Sequence, residues 1–190
     1  MKALHGAGDR VKLRLLDVQQ LKVVVRSFDT PYVALSYVWG SAKCFRAERN
    51  ISGSAASTGV IPRTILDAMK VTRALGQQYL WVDSICILNE PEELTSTVEA
   101  MDIIYKKALL TIVGAAGSDC MAGLPRAHAR APQITQISER VDGRTFIMAQ
   151  PSLDFVLKSC AWSTRGWTFQ ESKLSRRKLI FTSSGVYFRC

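Results

Sequence analysis

The sequence predicts an α/β fold, a parallel sheet flanked by helices and ending in a C-terminal β-hairpin. Three observations carry this. Short runs rich in β-branched, aromatic and aliphatic residues recur at Tyr32–Trp39, Tyr79–Val82 and Leu109–Ala115, each the length of a buried strand. Stretches with apolar residues at helical spacing separate them: Ile65, Ala68, Met69, Thr72 and Leu75, then Leu94, Val98, Met101, Tyr105 and Ala108. Near the end, Lys178–Phe181 and Val186–Cys190 flank Ser183-Ser184-Gly185, which is a hairpin signal. Strands that alternate with helices pair in parallel, because each crossover helix returns the chain to the same end of the sheet.

Taken in order, Leu21–Arg26 is valine-rich and weakly alternating, so a strand is expected there. Gly40-Ser41 ends the strand at Tyr32–Trp39, and residues 41–60 are polar and rich in Ser, Gly and Ala, the composition of a loop. Pro62 opens the first helix and Gly76 is placed to stop it. Tyr79–Val82 ends at Asp83. Asn89 and Glu92 have capping-box spacing, with Pro91 tolerated in the first turn, so a helix is expected from about Glu92 to Ala108. Gly117–Gln133 reads as loop, Arg144–Ala149 as a short strand and Ser152–Ser159 as a short helix. Residues 1–30 form an N-terminal strand and extension, and residues 31–190 the main body of a single domain.

At 190 residues, with 47% apolar and 22% charged side chains, the chain has the size and make-up of one globular domain. No apolar run approaches the roughly 20 residues of a membrane helix, and Met1–Arg14 lacks the apolar core of a signal peptide. The expectation is a cytoplasmic protein with no membrane association. Five widely spaced cysteines without a CxxC pair argue against zinc or a disulfide framework, so no metal site is expected. Cys86, inside an apolar run, reads as a buried thiol. His5 and His128 have no acid or cysteine at ligand spacing and read as surface histidines. The net charge of +9 favours an anionic partner. Nucleic acid ranks last among these, because the densest basic cluster is only Arg176-Arg177-Lys178 and no binding motif accompanies it.

Ligands of open parallel sheets bind beyond the carboxyl ends of the strands. Two such ends carry suitable residues. Ser36-Tyr37-Val38-Trp39-Gly40 offers a glycine for close backbone approach and an indole for stacking. Asp83-Ser84 follows Leu80-Trp81-Val82 and offers an acid. Asp83 reads equally as a cap or turn former, and Trp39 and Trp81 read also as core. Neither GxGxxG, GxxxxGK[ST] nor GxSxG is present. The densest chemistry lies in Arg165-Gly166-Trp167-Thr168-Phe169-Gln170-Glu171. Glu171 is the one acid after Asp154, set among basic and aromatic residues. The plain alternative is a surface glutamate paired with Arg165 or Arg176.

Several ordered blocks resemble the fungal heterokaryon incompatibility (HET) domain. They are Tyr32–Gly40; Ile61-Pro62-Arg63-Thr64-Ile65 with Tyr79–Ile87; Met101–Tyr105 with Ala108; Gly123-Leu124-Pro125; and Arg165–Glu171 with Leu174-Ser175-Arg176-Arg177. Together they span about residues 32–190. The chain departs from the family pattern at Leu88-Asn89 and across Glu93–Thr97. The resemblance implies a role in programmed cell death during incompatibility and innate immunity. The HET family is similar in turn to TIR domains, which implies a flavodoxin-like/TIR-like sheet. Some TIR domains are NADases, hydrolases whose catalytic glutamate follows a tryptophan by four residues. Trp167 and Glu171 share that offset, which on a helix places both on one face.

By this analogy Glu171 is the catalytic candidate, while Ser36, Tyr37, Trp39, Gly40, Asp83, Ser84, Arg165 and Trp167 are substrate-binding candidates. NAD+ would be the substrate, cleaved at its nicotinamide–ribose bond, and no cofactor is implied. The competing expectation is a non-catalytic module that triggers death by self-association or by docking onto a receptor-type signalling protein.

Overall fold

The computed structural model describes residues 12–40, 46–49, 55–58, 61–87, 95, 97–127, 137–149 and 151–190. Its main sheet is built from β1 (Lys12–Asp17), β2 (Lys22–Ser27), β3 (Val33–Tyr37), β6 (Tyr79–Trp81), β7 (Leu110–Gly114), β10 (Lys178–Phe181) and β11 (Val186–Arg189). Two short strand pairs stand apart: β4 (Arg46–Arg49) with β5 (Ala55–Thr58), and β8 (Ser138–Val141) with β9 (Arg144–Ile147). Across the main sheet the order is β11-β10-β7-β3-β6-β1-β2. The four central strands are parallel. Numbered along the chain, they lie in the order 2-1-3-4, as in flavodoxin-like sheets.

The sheet is mixed rather than wholly parallel. β1 runs antiparallel to both β6 and β2, and β11 antiparallel to β10. The expected hairpin at the end of the chain is β10–β11. β1 had no clear signature: its buried residues are Leu13, Leu15, Leu16 and Asp17, with Lys12 and Arg14 between or before them, and neither leucine nor aspartate has much intrinsic strand preference. The segment 41–60, read as a loop, carries the β4–β5 pair. At Asp142-Gly143 both residues have positive φ, 50° and 75°. That is the backbone of a type I′ hairpin turn, and it accounts for β8, which was not expected.

The helices are α1 (Arg63–Ala74), α2 (Asp83–Cys86), a helical turn α3 at residues 97–99, α4 (Met101–Lys107), α5 (Leu153–Lys158) and α6 (Gly166–Leu174), with a 3₁₀ turn at Ala161–Thr164 before α6. α1 begins after Pro62, and Gly76 takes φ +69° just beyond its end, as the sequence predicts. The helix expected over about 92–108 is broken at Ala100, between α3 and α4. Its proposed capping box at Asn89 and Glu92 lies outside the described residues, as do His5 and His128. Ser152 caps α5, its side chain accepting from the Phe155 amide.

α1 packs on β3 and β6, while α4 and α6 pack on each other. On the α6 side, Thr111 Oγ1 and Ser175 Oγ are 2.7 Å apart, tying β7 to the end of the helix. The core centres on Tyr32, Leu35, Ile65, Trp81, Tyr105 and Ile112. Trp81 meets Tyr105 edge-on, with ring centroids 5.5 Å apart, so of its two readings the packing one holds. Tyr105 Oη donates to the Leu35 carbonyl at 3.1 Å and Tyr32 Oη to that of Ile104 at 2.5 Å. These bonds fasten α4 to β3, and through β3 they position the residues described next. Cys86 is buried as expected, and burial pushes its thiol up to about 12.

Candidate active site beyond the strand ends

Successive side chains of a strand point to opposite faces. In β3, Ser36 therefore faces α6, while Tyr37 faces the other layer, where its Cβ lies close to Gly114 and Thr64 of α1 approaches the same glycine. The consequence is visible at Glu171. The indole Nε1–H of Trp162, which can only donate, donates a hydrogen bond to Ser36 Oγ at 2.8 Å. The Ser36 hydroxyl, with its acceptor side so occupied, donates in turn to Glu171 Oε2. An indole on the 3₁₀ turn, a hydroxyl on the central strand and a carboxylate on α6 thus form one directed chain.

Glu171 is 7% exposed and is not the surface glutamate of the plainer reading. Its bonded partner is a hydroxyl rather than a guanidinium. Its carboxylate lines a cavity of about 240 Å³ with Trp39, Asp83, Ile87, Val98, Met101 and Arg165. Arg165 Nη1 donates to the carbonyl of Tyr37 at 2.8 Å, which holds the cation at the end of β3. Trp39 Nε1 donates to Asp83 Oδ2 at 2.8 Å, and Asp83 Oδ1 accepts from the Ser84 amide at 2.7 Å. Asp83 both opens α2 and forms part of the cavity wall.

Two carboxyl groups and one guanidinium share a mostly apolar hollow. Burial is the main cause that drives Glu171 up from its ordinary 4.5 to about 7; the charge of Asp83 adds to it, while the Ser36 bond and Arg165 oppose it. Burial likewise raises Asp83 from 3.8 to about 6, against the Ser84 amide, the Trp39 indole and Arg165. Near neutral pH the cavity therefore holds an ionised Asp83 and a half-ionised Glu171.

Of the residues singled out from the sequence, Trp39, Asp83, Arg165 and Glu171 meet in the cavity. Ser36 supports it from beneath. Tyr37 and Ser84 are buried and bonded to each other, Tyr37 Oη to Ser84 Oγ at 3.0 Å, and neither lines the cavity; they brace β3 against α2. Trp167 lies on α6 one turn before Glu171, and its side chain is outside the described residues. Gly40 is exposed, with φ +70°. A Cβ there would collide with Asp119, whose Cα would be 2.8 Å away. Gly40→Ala is expected to destabilise the protein by about 2 kcal/mol or more, read as a lowered chemical-denaturation midpoint; an unchanged midpoint would contradict this role.

Sequence reasoning missed Trp162. Its one available clue is that a buried indole seeks an acceptor, and nothing in the spacing names Ser36 as that acceptor. Ile87, Val98 and Met101 appeared only as apolar residues, because a helix face that lines a hollow has the same periodicity as one that fills a core. Ser36→Ala should leave the Trp162 N–H without its acceptor, costing about 1–3 kcal/mol, and should move the Glu171 titration still higher. Nuclear magnetic resonance of the labelled glutamate carboxyls would read that displacement, and a titration left in place would remove Ser36 from the account.

Beyond the carboxyl ends of a 2-1-3-4 sheet, then, lies an acidic hollow of the kind in which α/β domains take small ligands. The family model described as Heterokaryon incompatibility protein (HET) matches residues 32–171, and the chain belongs to that family. Membership gives it a role in heterokaryon incompatibility and the cell death that accompanies it. No curated protein and no solved structure matches the chain. Among the described residues no helix is long and apolar enough to cross a membrane, and no group of three or more His, Cys, Asp or Glu residues could hold a metal ion.

Proposed function

We propose that this HET domain is a TIR-like NAD+ glycohydrolase with Glu171 as its catalytic residue. The observation that carries the reading is the buried Glu171 carboxylate, aimed by Ser36 into a cavity at the strand ends. The 2-1-3-4 strand order supports the TIR-like part of it. Hydrolysis breaks the bond between ribose C1′ and the pyridinium nitrogen, and the electron pair returns to nitrogen as neutral nicotinamide departs. Water adds to C1′ and releases a proton, leaving ADP-ribose. Positive charge builds on the ribose in between, as in glycoside hydrolysis. An anion held there in a partly dry site lowers the barrier more than it stabilises bound substrate.

Glu171 supplies that anion and holds ribose hydroxyls. Asp83, fixed by the Trp39 indole, is placed for a second hydroxyl or for the attacking water. Arg165 offers a planar donor fork to the pyrophosphate, and the half-buried face of Trp39 is available to a ring. The cavity is smaller than the roughly 300–1,000 Å³ of pockets that enclose a whole drug-sized ligand. It therefore takes the nicotinamide riboside end, with the adenylate outside.

A second reading has its own support. The β8–β9 hairpin and its flanks leave Ile137, Val141, Phe146, Ile147 and Met148 exposed, and clustered apolar surface of that sort marks contact sites. Self-association through it is compatible with catalysis. Nicotinamide release by the purified protein, followed over a concentration series with light scattering, tests both. Turnover that appears with assembly supports both readings. Assembly without nicotinamide release leaves the non-catalytic module alone.

A further inference from the structure

A second cavity lies at the opposite, amino end of the parallel strands. It has a volume of about 540 Å³ and is lined in part by Phe28, Asp29, Lys106, Lys107, Arg176 and Arg177. Thr30 and Pro31 lead into β3, Leu109 into β7 and Arg177 into β10, and all four residues border it, so the topology brings three strand entrances to one place. The cavity's cations come from α4 and from the segment that follows α6. α4 runs from Met101, on the acidic hollow, to Lys106 and Lys107 here, and Arg176 and Arg177 follow the end of α6.

The charge balance is lopsided. Four cationic side chains face one carboxylate, Asp29, and that acid is taken by Lys107, Nζ to Oδ1 at 3.1 Å. Lys107 also lies over the Phe28 ring, 5.7 Å from its centroid. Lys106, Arg176 and Arg177 have no carboxylate within ion-pair distance among the described residues. Two cations in the last turn of a helix are ordinary complements to its dipole. Two adjacent arginines from the segment between α6 and β10, converging on the same hollow, are not accounted for in that way. Paired guanidinium forks match phosphate oxygens, and Lys106 adds a mobile point charge. The volume is that of a small-molecule site.

We propose that this cavity binds a small molecule bearing two or more linked phosphates, at a site separate from the Glu171 hollow. Isothermal titration of the whole chain with inorganic tripolyphosphate, and separately with ATP, tests it. Saturable one-to-one binding of tripolyphosphate is expected, weakening as salt is raised. Tighter binding of ATP would show that the apolar wall around Phe28 takes part as well. The double variant Arg176→Gln/Arg177→Gln should weaken both ligands by about tenfold or more, since charge-assisted hydrogen bonds are lost. The variant Lys12→Gln/Lys22→Gln, on β1 and β2, should not, and circular dichroism checks that both pairs keep their fold. Non-saturating binding, equal loss in the two double variants, or saturable binding of a single-stranded oligonucleotide but not of tripolyphosphate would each overturn the assignment.

Discussion

Glu171→Gln should lower nicotinamide release by roughly a hundred- to a thousand-fold, the usual effect of removing one electrostatic contact to a developing charge. The amide keeps the volume and the acceptor that Ser36 addresses, so the loss would not reflect a collapsed site. The same variant should be more stable than the parent. A carboxylate that is 7% exposed has given up most of its hydration, and its ionised form is disfavoured by folding. Gln cannot ionise and escapes that penalty. Parallel turnover and urea-denaturation measurements check the pair of effects. Retained turnover would remove Glu171 from the chemistry, and lowered stability would mean that the carboxylate has a structural role instead.

The second large effect is a pH dependence in which activity and stability move in opposite directions. The ordinary carboxyl of a glutamate titrates at 4.5, and Glu171 in the folded chain titrates at about 7. The folded state therefore binds a proton that the unfolded state has already released between those values. Its stabilising contribution is fully present below about 4.5 and is lost as pH rises through 7. At roughly 1.4 kcal/mol per pH unit of displacement, the loss at alkaline pH is of order 3 kcal/mol. The proposed glycohydrolase activity is expected to have the reverse sign, because only the ionised form would offset positive charge on the ribose. kcat/KM, which reports the free enzyme, should rise with pH and reach half its plateau near 7. In kcat the same rise should come at lower pH, since bound pyridinium favours the anion. Denaturation curves at about pH 5.5 and 8.5 check the stability limb. Asp83, raised from 3.8 to about 6, adds a smaller slope of the same sign, so Glu171→Gln should lose most of the slope and keep that remainder. A flat profile in the parent, or an undiminished slope in Glu171→Gln, would show that another group is responsible.

Most of the central architecture was legible because periodicity and punctuation agreed. β3, α1, β6 and β7 each combine a clear apolar pattern with a Pro, Gly or Asp at the boundary, and all were found within a few residues. β1 was faint because leucines between cations do not announce a strand. It pairs along its whole length with β2, next in the chain, while its place in the sheet comes from a short antiparallel pairing with distant β6 that no local pattern encodes. β9 was expected as the strand at Arg144–Ala149, but β8 and the hairpin it makes were missed even though Asp142-Gly143 is a strong turn signal, because β8 is exposed on both faces and shows no buried alternation.

For the site, residue chemistry picked out Glu171, Asp83, Trp39 and Arg165, because acids and indoles at strand ends are unusual company. Tyr37 and Ser84, singled out with them, bond to each other and do not line the hollow. Whether a hydroxyl meets a ligand or a neighbour is decided by which face of the sheet it occupies, and by the helix packed on that face.

That Glu171 is steadied by an alcohol has a last consequence. A guanidinium clamp would have pinned its charge across the whole physiological range. A neutral donor leaves the group's protonation responsive to whatever surrounds it, so substitutions around the hollow, none of them touching the acid itself, can act as a rheostat on how much of the population is armed at a given acidity.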